Sequence, residues 1–277
     1  MMLLASMTYE EIYREIRNDS PELFAAAEKK LPEFRKYAKR ASGAYGRMYA
    51  WKHPRSQNNY IYFFHIKRHS DWDKTPRLIV FTEYNIEIGK RTITIMRDPN
   101  GNIRIGIFKT HFFERYDERN LAKLEGLEAD SERDIKITFL LRTSTTISLG
   151  DKLASLREQE KEEPDFINNA LLTPEGVLQC KIYKKNPNIV LFKTYLSIQD
   201  LYKGQYEEVL QNAIHVFYLR ALNDSPRFKK SIDALYLSGI NELNQMLFDP
   251  SLPEDEKQQI RMKRYGEIID EFYKYIL

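Results

Sequence analysis

A single cysteine, Cys180, stands in the 277 residues. It excludes an intramolecular disulfide and a cysteine-based structural zinc site, and cysteine usage this low fits a reducing, cytoplasm-type compartment. No apolar run approaches the ~20 residues that cross a bilayer. The segment Met1 to Met7 is too short, and lacks the positive flank, to act as a secretory signal. Met1 and Met7 both stand as candidate starts. There is no glycine-rich phosphate loop, no Gly-x-Ser-x-Gly elbow and no His-Glu-x-x-His. Their absence counts against the common nucleotide-dependent enzymes and against zinc peptidases. Internal repeats and low-complexity linkers are missing too.

What is present fits a folded chain. Apolar residues make up 42% and aromatic residues 13%, too many for a disordered protein. The net charge of +3 is small, but charge is unevenly spread, and distribution is what creates a local field. From Lys29 to His69 there are eleven Lys or Arg and one acid, Glu33. Acids dominate from Glu125 to Asp134 and from Glu158 to Asp165.

Thr8-Tyr9-Glu10-Glu11 reads as a capping box that opens a short helix carrying Ile12 and Ile16. Ser20-Pro21 reads as a second helix start, with Leu23, Phe24, Ala27 and Leu31 on one stripe; Pro32 kinks or restarts it, and Gly43 and Gly46 mark its end. From Tyr60 the period changes to two. Tyr60 to Ile66, Arg77 to Tyr84, Arg91 to Met96 and Ile103 to Phe108 read as a meander of four strands. The last two flank Asp98-Pro99-Asn100-Gly101-Asn102, where Asn-Gly tolerates the positive φ of a tight turn. Val177 to Tyr183 and Ile189 to Leu196 read as a second hairpin, through Lys185-Asn186-Pro187-Asn188, in the same sheet. A helix is expected from His111 to about Leu121, and the stretch from Arg133 to Thr146 fits strand or helix equally. After Ser197 the pattern is helical, and Asn223 to Pro226 and Asp249 to Pro253 separate three helices.

The fold expected is therefore α+β: an antiparallel sheet of about six strands flanked by helices. Residues 1–58 form an N-terminal helical region packed on the core, residues 59–197 the sheet with inserted helices, and residues 198–277 the C-terminal helices, all as one structural unit.

One motif carries chemistry. In Thr110-His111-Phe112-Phe113-Glu114-Arg115-Tyr116-Asp117-Glu118-Arg119, a helix following a strand puts His111, Arg115 and Arg119 on one ridge. Three groups able to carry positive charge along two turns call for acidic neighbours or an anionic ligand, and a helix N-terminus favours phosphate. This spacing resembles the His-Ala-x-Glu-Arg-Met-x-x-Arg helix of small bacterial toxin and nuclease-like domains related to the barnase, colicin and RelE group. His111, Glu114, Arg115 and Arg119 match; Phe112 stands where alanine is usual and Tyr116 where methionine is. Lys193-Thr194 resembles the basic residue and threonine on the strand that ends the sheet in that group. The resemblance implies RNA cleavage through attack of the 2′-hydroxyl, with His111 transferring protons, Arg115 and Arg119 holding phosphate, and Lys193 and Thr194 in support. The alternative is a docking helix: Phe112, Phe113 and Tyr116 against the sheet, the charged residues a solvated face.

A second signal is the basic stretch Arg35, Lys36, Lys39, Arg40, Arg47, Lys52 and Arg55, interleaved with Tyr37, Tyr45, Tyr49 and Trp51. Cations for phosphates and flat rings for bases are the ingredients of single-strand binding. A solvated helix face with its aromatics turned inward gives the same composition. His65-x-x-x-His69 with Asp71 and Asp73 has donors enough for a metal, but a strand does not converge them as a helix would, so no metal or cofactor is assigned. His53 and His215 stand alone, and Cys180 reads as a small core residue.

Together these signals suggest a bacterial or phage-type protein directed at RNA or another nucleic acid, with a toxin-like, metal-independent endoribonuclease site. The competing expectation is a non-enzymatic accessory protein of a mobile element, meeting a protein partner through its C-terminal helices. No membrane association is expected.

Overall fold

The computed structural model describes the chain apart from residues 1, 88, 99, 110, 120–126, 129–130, 144–145, 151–163, 174–175, 198–205, 248–250, 252 and 277. The chain divides into two units. The first comprises Met1–Arg142, Gln159–Ala170 and Leu178–Tyr195, and the second Thr143–Glu158, Leu171–Val177 and Leu196–Leu277. No described helix is long and apolar enough to cross a membrane.

The first unit opens with helix α1 (Tyr9–Ala38). Its capping box forms as expected: the Thr8 hydroxyl accepts from the Glu11 amide at 3.3 Å, and the Glu11 carboxylate accepts from the Thr8 amide at 2.8 Å. Ser20-Pro21 does not restart the helix; Pro21 and Pro32 both lie inside it. Pro21 has no N–H for the carbonyl four residues back. The Ser20 hydroxyl donates to that carbonyl, of Arg17, at 2.9 Å, so the helix continues.

Strands β1 (Tyr45–Lys52), β2 (Asn59–Ile66), β3 (Arg77–Asn85), β4 (Lys90–Arg97) and β5 (Ile103–Phe108) follow as an antiparallel meander. Helix α2 (Phe112–Arg119), strand β6 (Leu127–Glu128) and helix α3 (Ser131–Arg142) come next, and β8 (Phe166–Thr173), β9 (Gly176–Tyr183) and β10 (Ile189–Ser197) return the chain to the sheet. The strand order is β6-β1-β2-β3-β4-β5-β10-β9-β8-β7, with the short β7 (Ile147–Gly150) last. Eight of these strands have six residues or more, with the two-residue β6 at one edge. The sheet is mixed, which corrects the antiparallel expectation: β10 runs parallel to β5, pairing Ile189 with Ile105 and Phe192 with Phe108, and β6 runs parallel to β1. A parallel neighbour needs a crossover, and α2, α3 and the chain between β5 and β10 supply it. Strand β1 replaces the helix end read at Gly43 and Gly46, β8 was not anticipated, and the ambiguous stretch is helical as α3.

Both faces of the sheet are covered. On β2, Tyr60, Tyr62, Phe64 and Ile66 join the core under α1, with Ile12, Ile16, Leu23, Ala27 and Phe34. Ile61 and Phe63, of opposite parity, pack with Phe81 against Ile137 and Leu141 of α3. Near β10 an aromatic cluster takes over: the Phe108 and Phe192 rings stack at 4.4 Å, and Phe112, Phe113 and Phe139 close on Phe108 at 4.9 to 5.8 Å. Gly106 permits this approach, because a Cβ there would lie 2.7 Å from both Phe192 Cε2 and Thr94 Oγ1. At the β4–β5 turn Gly101 takes φ +86°, and Asp98 Oδ1 accepts from the amides of Asn100 and Asn102.

The second unit holds β7 (Ile147–Gly150) and helices α4 (Tyr206–Asp224), α5 (Lys229–Leu247) and α6 (Glu254–Ile276). Phe217 of α4 meets Phe272 of α6 at 6.5 Å, Tyr218 stacks on Tyr236 of α5 at 4.4 Å, and Arg264 of α6 donates to Glu242 of α5 at 2.6 Å.

One buried polar network ties α1 to the β1–β2 connection. Asp19 Oδ2 accepts from Ser56 Oγ at 2.6 Å, Asn58 Nδ2 at 2.9 Å and Tyr60 Oη at 2.7 Å. His53 Nδ1 accepts from the Ser56 amide at 3.0 Å, which leaves its proton on Nε2, 3.1 Å from Glu22 and 3.5 Å from Asp19. The same connection holds Gln57 at φ 65°, a conformation a non-glycine residue keeps only where its surroundings impose it. Replacing Asp19 with alanine removes the acceptor that three buried donors share and is expected to cost roughly 3–5 kcal/mol. Urea unfolding should show a lower midpoint at unchanged slope; an unchanged midpoint would mean that the network is not what fastens α1.

Candidate functional site

Helix α2 begins where β5 ends. Phe112, Phe113 and Tyr116 are buried and seat it in the aromatic cluster, which turns His111, Glu114 and Arg115 outward. His111 Nδ1 lies 2.6 Å from Glu114 Oε2, and these side chains are 68% and 66% exposed. Arg115 Nη1 donates to Thr194 Oγ1 of β10 at 3.1 Å. Two groups singled out far apart in sequence are thus joined. Lys193 is half-buried, between Phe192 and Thr194, the β10 residues that meet α2. Arg119 ends α2 and its side chain, like Thr110, lies outside the described residues. The arrangement offers an imidazole whose Nε2 is turned away from its carboxylate partner, and a guanidinium oriented by a threonine. His111, Glu114 and Arg115 are all exposed. The cavities described below are lined by other residues.

The basic stretch does not form one helix face. Arg35, Lys36, Lys39 and Arg40 lie at the end of α1, Arg47 early in β1, and Trp51 and Lys52 at its far end, followed by Arg55. Arg47 and Trp51 stand four strand positions apart, about 13 Å at ~3.3 Å per residue, and the α1 cations precede the start of β1. Tyr45 and Tyr49 are buried, and Tyr37 lies under the Arg47 guanidinium at 3.9 Å. Arg55 pairs with Glu22, and Lys39 sits over Trp72 at 4.9 Å. The α1 end is also remote from α2. Four antiparallel steps from β1 to β5 make these two strands run the same way. Since α1 feeds the start of β1 and α2 follows the end of β5, they occupy opposite ends of the sheet, on opposite faces.

Two concavities involve Trp51. One, of about 820 Å³, opens at the joined ends of β1, β2 and β3 and is lined by Trp51, Lys52, Asn59, Thr82, Glu83 and residues of the N-terminal segment. The other, of about 460 Å³, runs between α1 and the sheet and is lined by Glu22, Lys29, Lys30, Glu33, Trp51 and Tyr62. Sequence reading found Trp51 through its basic surroundings; Lys29, Asp19 and Glu83 carried no signal of their own. Glu83 is buried on the α3 side of β3 and is paired with Arg133 at 3.3 Å and with Lys136.

The remaining histidines diverge. His65 is buried in β2, while His69 is exposed. Asp71 is committed to Lys74 at 2.7 Å and Arg68 at 3.4 Å, and no cluster of metal-ligating residues occurs among the described residues. His53 belongs to the Asp19 network instead of standing alone. His215 is half-buried and meets the Tyr236 hydroxyl at 3.2 Å. Cys180 is buried, and burial pushes its thiol up to about 12, far from a nucleophile's range.

Burial, helped by the charges of Arg77 and Lys67, pushes the His65 imidazole down from 6.5 to about 4. The unfolded chain therefore binds a proton that the folded chain refuses, so stability is full above pH 6.5 and is lost as pH falls toward 4. The loss should be on the order of 3 kcal/mol. Replacing His65 with phenylalanine should flatten the decline in urea midpoint across that window; an unchanged decline would place the acid sensitivity elsewhere.

Compared with protein-family models, with curated proteins and with solved structures, the chain matches none, so the likeness of α2 to the toxin-like helix rests on the motif itself.

Proposed function

We propose that the protein is directed at nucleic acid, engaging a flexible RNA strand at the α2–β10 surface. The hydrogen bond from Arg115 to Thr194 carries this reading, because it orients a guanidinium beside an exposed imidazole on the first turn of a helix. A guanidinium in this position binds a phosphate oxygen with two parallel donors. The start of the helix adds a partial positive charge through its dipole. His111, steadied by Glu114, is the group that would take a proton from a ribose 2′-hydroxyl or return one to the leaving oxygen. Arg115 would stabilise the charge that develops on the phosphorane. The exposure of His111 and Arg115 suits a polymer, which brings its own bulk to the site.

A second reading has its own support. The second unit exposes large apolar side chains on and beside its helices: Leu237 is 60% exposed, Phe228 42%, Ile260 40% and Leu219 38%. Such a surface suits a protein partner, with the chain acting as a non-enzymatic accessory protein.

The deciding experiment incubates single-stranded and structured RNA with the purified protein in chelator, comparing wild type with His111→Ala and Arg115→Ala. Cleavage by the wild type that falls by about 10²–10⁴-fold in His111→Ala is expected of a proton-transfer group. Equal RNA survival in all samples removes cleavage. Absence of any binding that weakens with added salt removes the nucleic-acid reading and leaves the accessory one.

A further inference from the structure

Trp51 is half-buried near the end of β1 and lines both concavities described above. Its ring lies roughly parallel to that of Tyr60, its cross-strand partner, with centroids 6.0 Å apart and planes at 29°. The His53 ring meets it edge-on at 5.4 Å. Tyr60 and His53 are themselves fixed by hydrogen bonds of the Asp19 network, so the indole is held by its neighbours in one orientation. Each concavity also presents a lysine. Lys29 lines the one beside α1 and Lys52 the one at the strand ends; both are exposed, and neither makes an ion pair among the described residues. The carboxylates nearby are engaged elsewhere, Glu22 with Arg55, Glu33 with Lys30 and Glu83 with Arg133 and Lys136.

The Trp51 ring shares the α1 face of the sheet with Lys29, while Lys52, next along β1, leaves the opposite face at the strand end; the indole thus stands where the two concavities meet, with one lysine to each side and neither in an ion pair among the described residues. Two lysines that served only solubility would not need to flank a tryptophan at the junction of two hollows. The combination matches the requirements of a single strand of nucleic acid: a π-face for a base, and positive charge on either side for the backbone. We infer that the groove through Trp51, from Lys29 to Lys52, is a single-strand subsite in which one base stacks on Trp51 and the flanking phosphates meet the two lysines. The inference rests on the nucleic-acid reading above but concerns a different surface. It fixes the preferred substrate as unpaired nucleic acid, since a base held in a duplex cannot reach the indole.

Trp51 and Trp72 are the two tryptophans of the chain, so Trp72→Phe leaves Trp51 as the only indole reporter. Titration of that variant with oligouridylate should quench its emission, and a duplex of equal length should not. Adding Trp51→Ala should weaken oligouridylate binding about tenfold, within the range for loss of one stacked base, whereas Trp51→Phe should restore most of it. Lys29→Gln with Lys52→Gln, a surface pair that leaves the core intact, should flatten the slope of log affinity against log salt by about 1.4, from ~0.7 per phosphate contact. Oligouridylate that binds with unchanged indole emission, and equally well in the double lysine variant, overturns the subsite while leaving the nucleic-acid reading in place. No binding of oligouridylate or duplex by any variant overturns both.

Discussion

The constraint on which the rest of the structure depends is the burial of the sheet on both faces. Tyr60, Tyr62 and Phe64 go under α1, while Ile61, Phe63 and Phe81 go under α3. A sheet sealed on both sides has no open face on which to build a site, so polar chemistry is confined to strand ends, to edges and to the outer surfaces of the covering helices. Both candidate surfaces obey this rule. His111 and Arg115 lie where β5 gives way to α2, and Trp51 and Lys52 lie where β1 gives way to the turn before β2. The same sealing requires that polar groups drawn into the core be matched. Asp19 is matched by three donors and Glu83 by two cations.

Local signals were readable from the sequence where a few adjacent residues decide the outcome. The Thr8 capping box, the Gly101 turn and the four strands from Tyr60 to Phe108 all depend on neighbours within a few positions, and the strand periods were clear. Ser20-Pro21 has the residues of a helix start, but the same serine can satisfy the carbonyl that proline orphans, and the packing of Leu23, Ala27 and Phe34 chose continuity. Strand β1 was hidden by Gly43 and Gly46, although Tyr45, Tyr49 and Trp51 alternate with polar or small residues as a strand should. Helix α3 was ambiguous for a different reason. Ile135, Ile137, Phe139 and Leu141 repeat with period two, and a helix buried as broadly as this one shows no one-sided stripe to correct the impression.

Pairings between distant segments were the least legible. Nothing local to Ile189–Ser197 says that it will lie parallel to β5, and that pairing is what carries Thr194 to Arg115. The motif residues His111, Glu114 and Arg115 could be placed on an exposed ridge from spacing alone, because Phe112, Phe113 and Tyr116 mark the opposite side. The basic stretch was legible as charge but not as shape. A linear run that looked like one surface is spread over the end of α1, the length of β1 and the turn after it. The aromatic neighbours of its first part are covered by its own cations, Tyr37 by Arg47 and Trp72 by Lys39.

The central claim is that unpaired RNA meets the first unit at strand ends, and amide hydrogen exchange with and without a single-stranded oligonucleotide tests it most directly. The account predicts slowed exchange in the first turn of α2 with the facing part of β10, and in the connection from Trp51 to Asn58, with α4, α5 and α6 unchanged. Protection confined to those three helices, or none anywhere at saturating oligonucleotide, would contradict it.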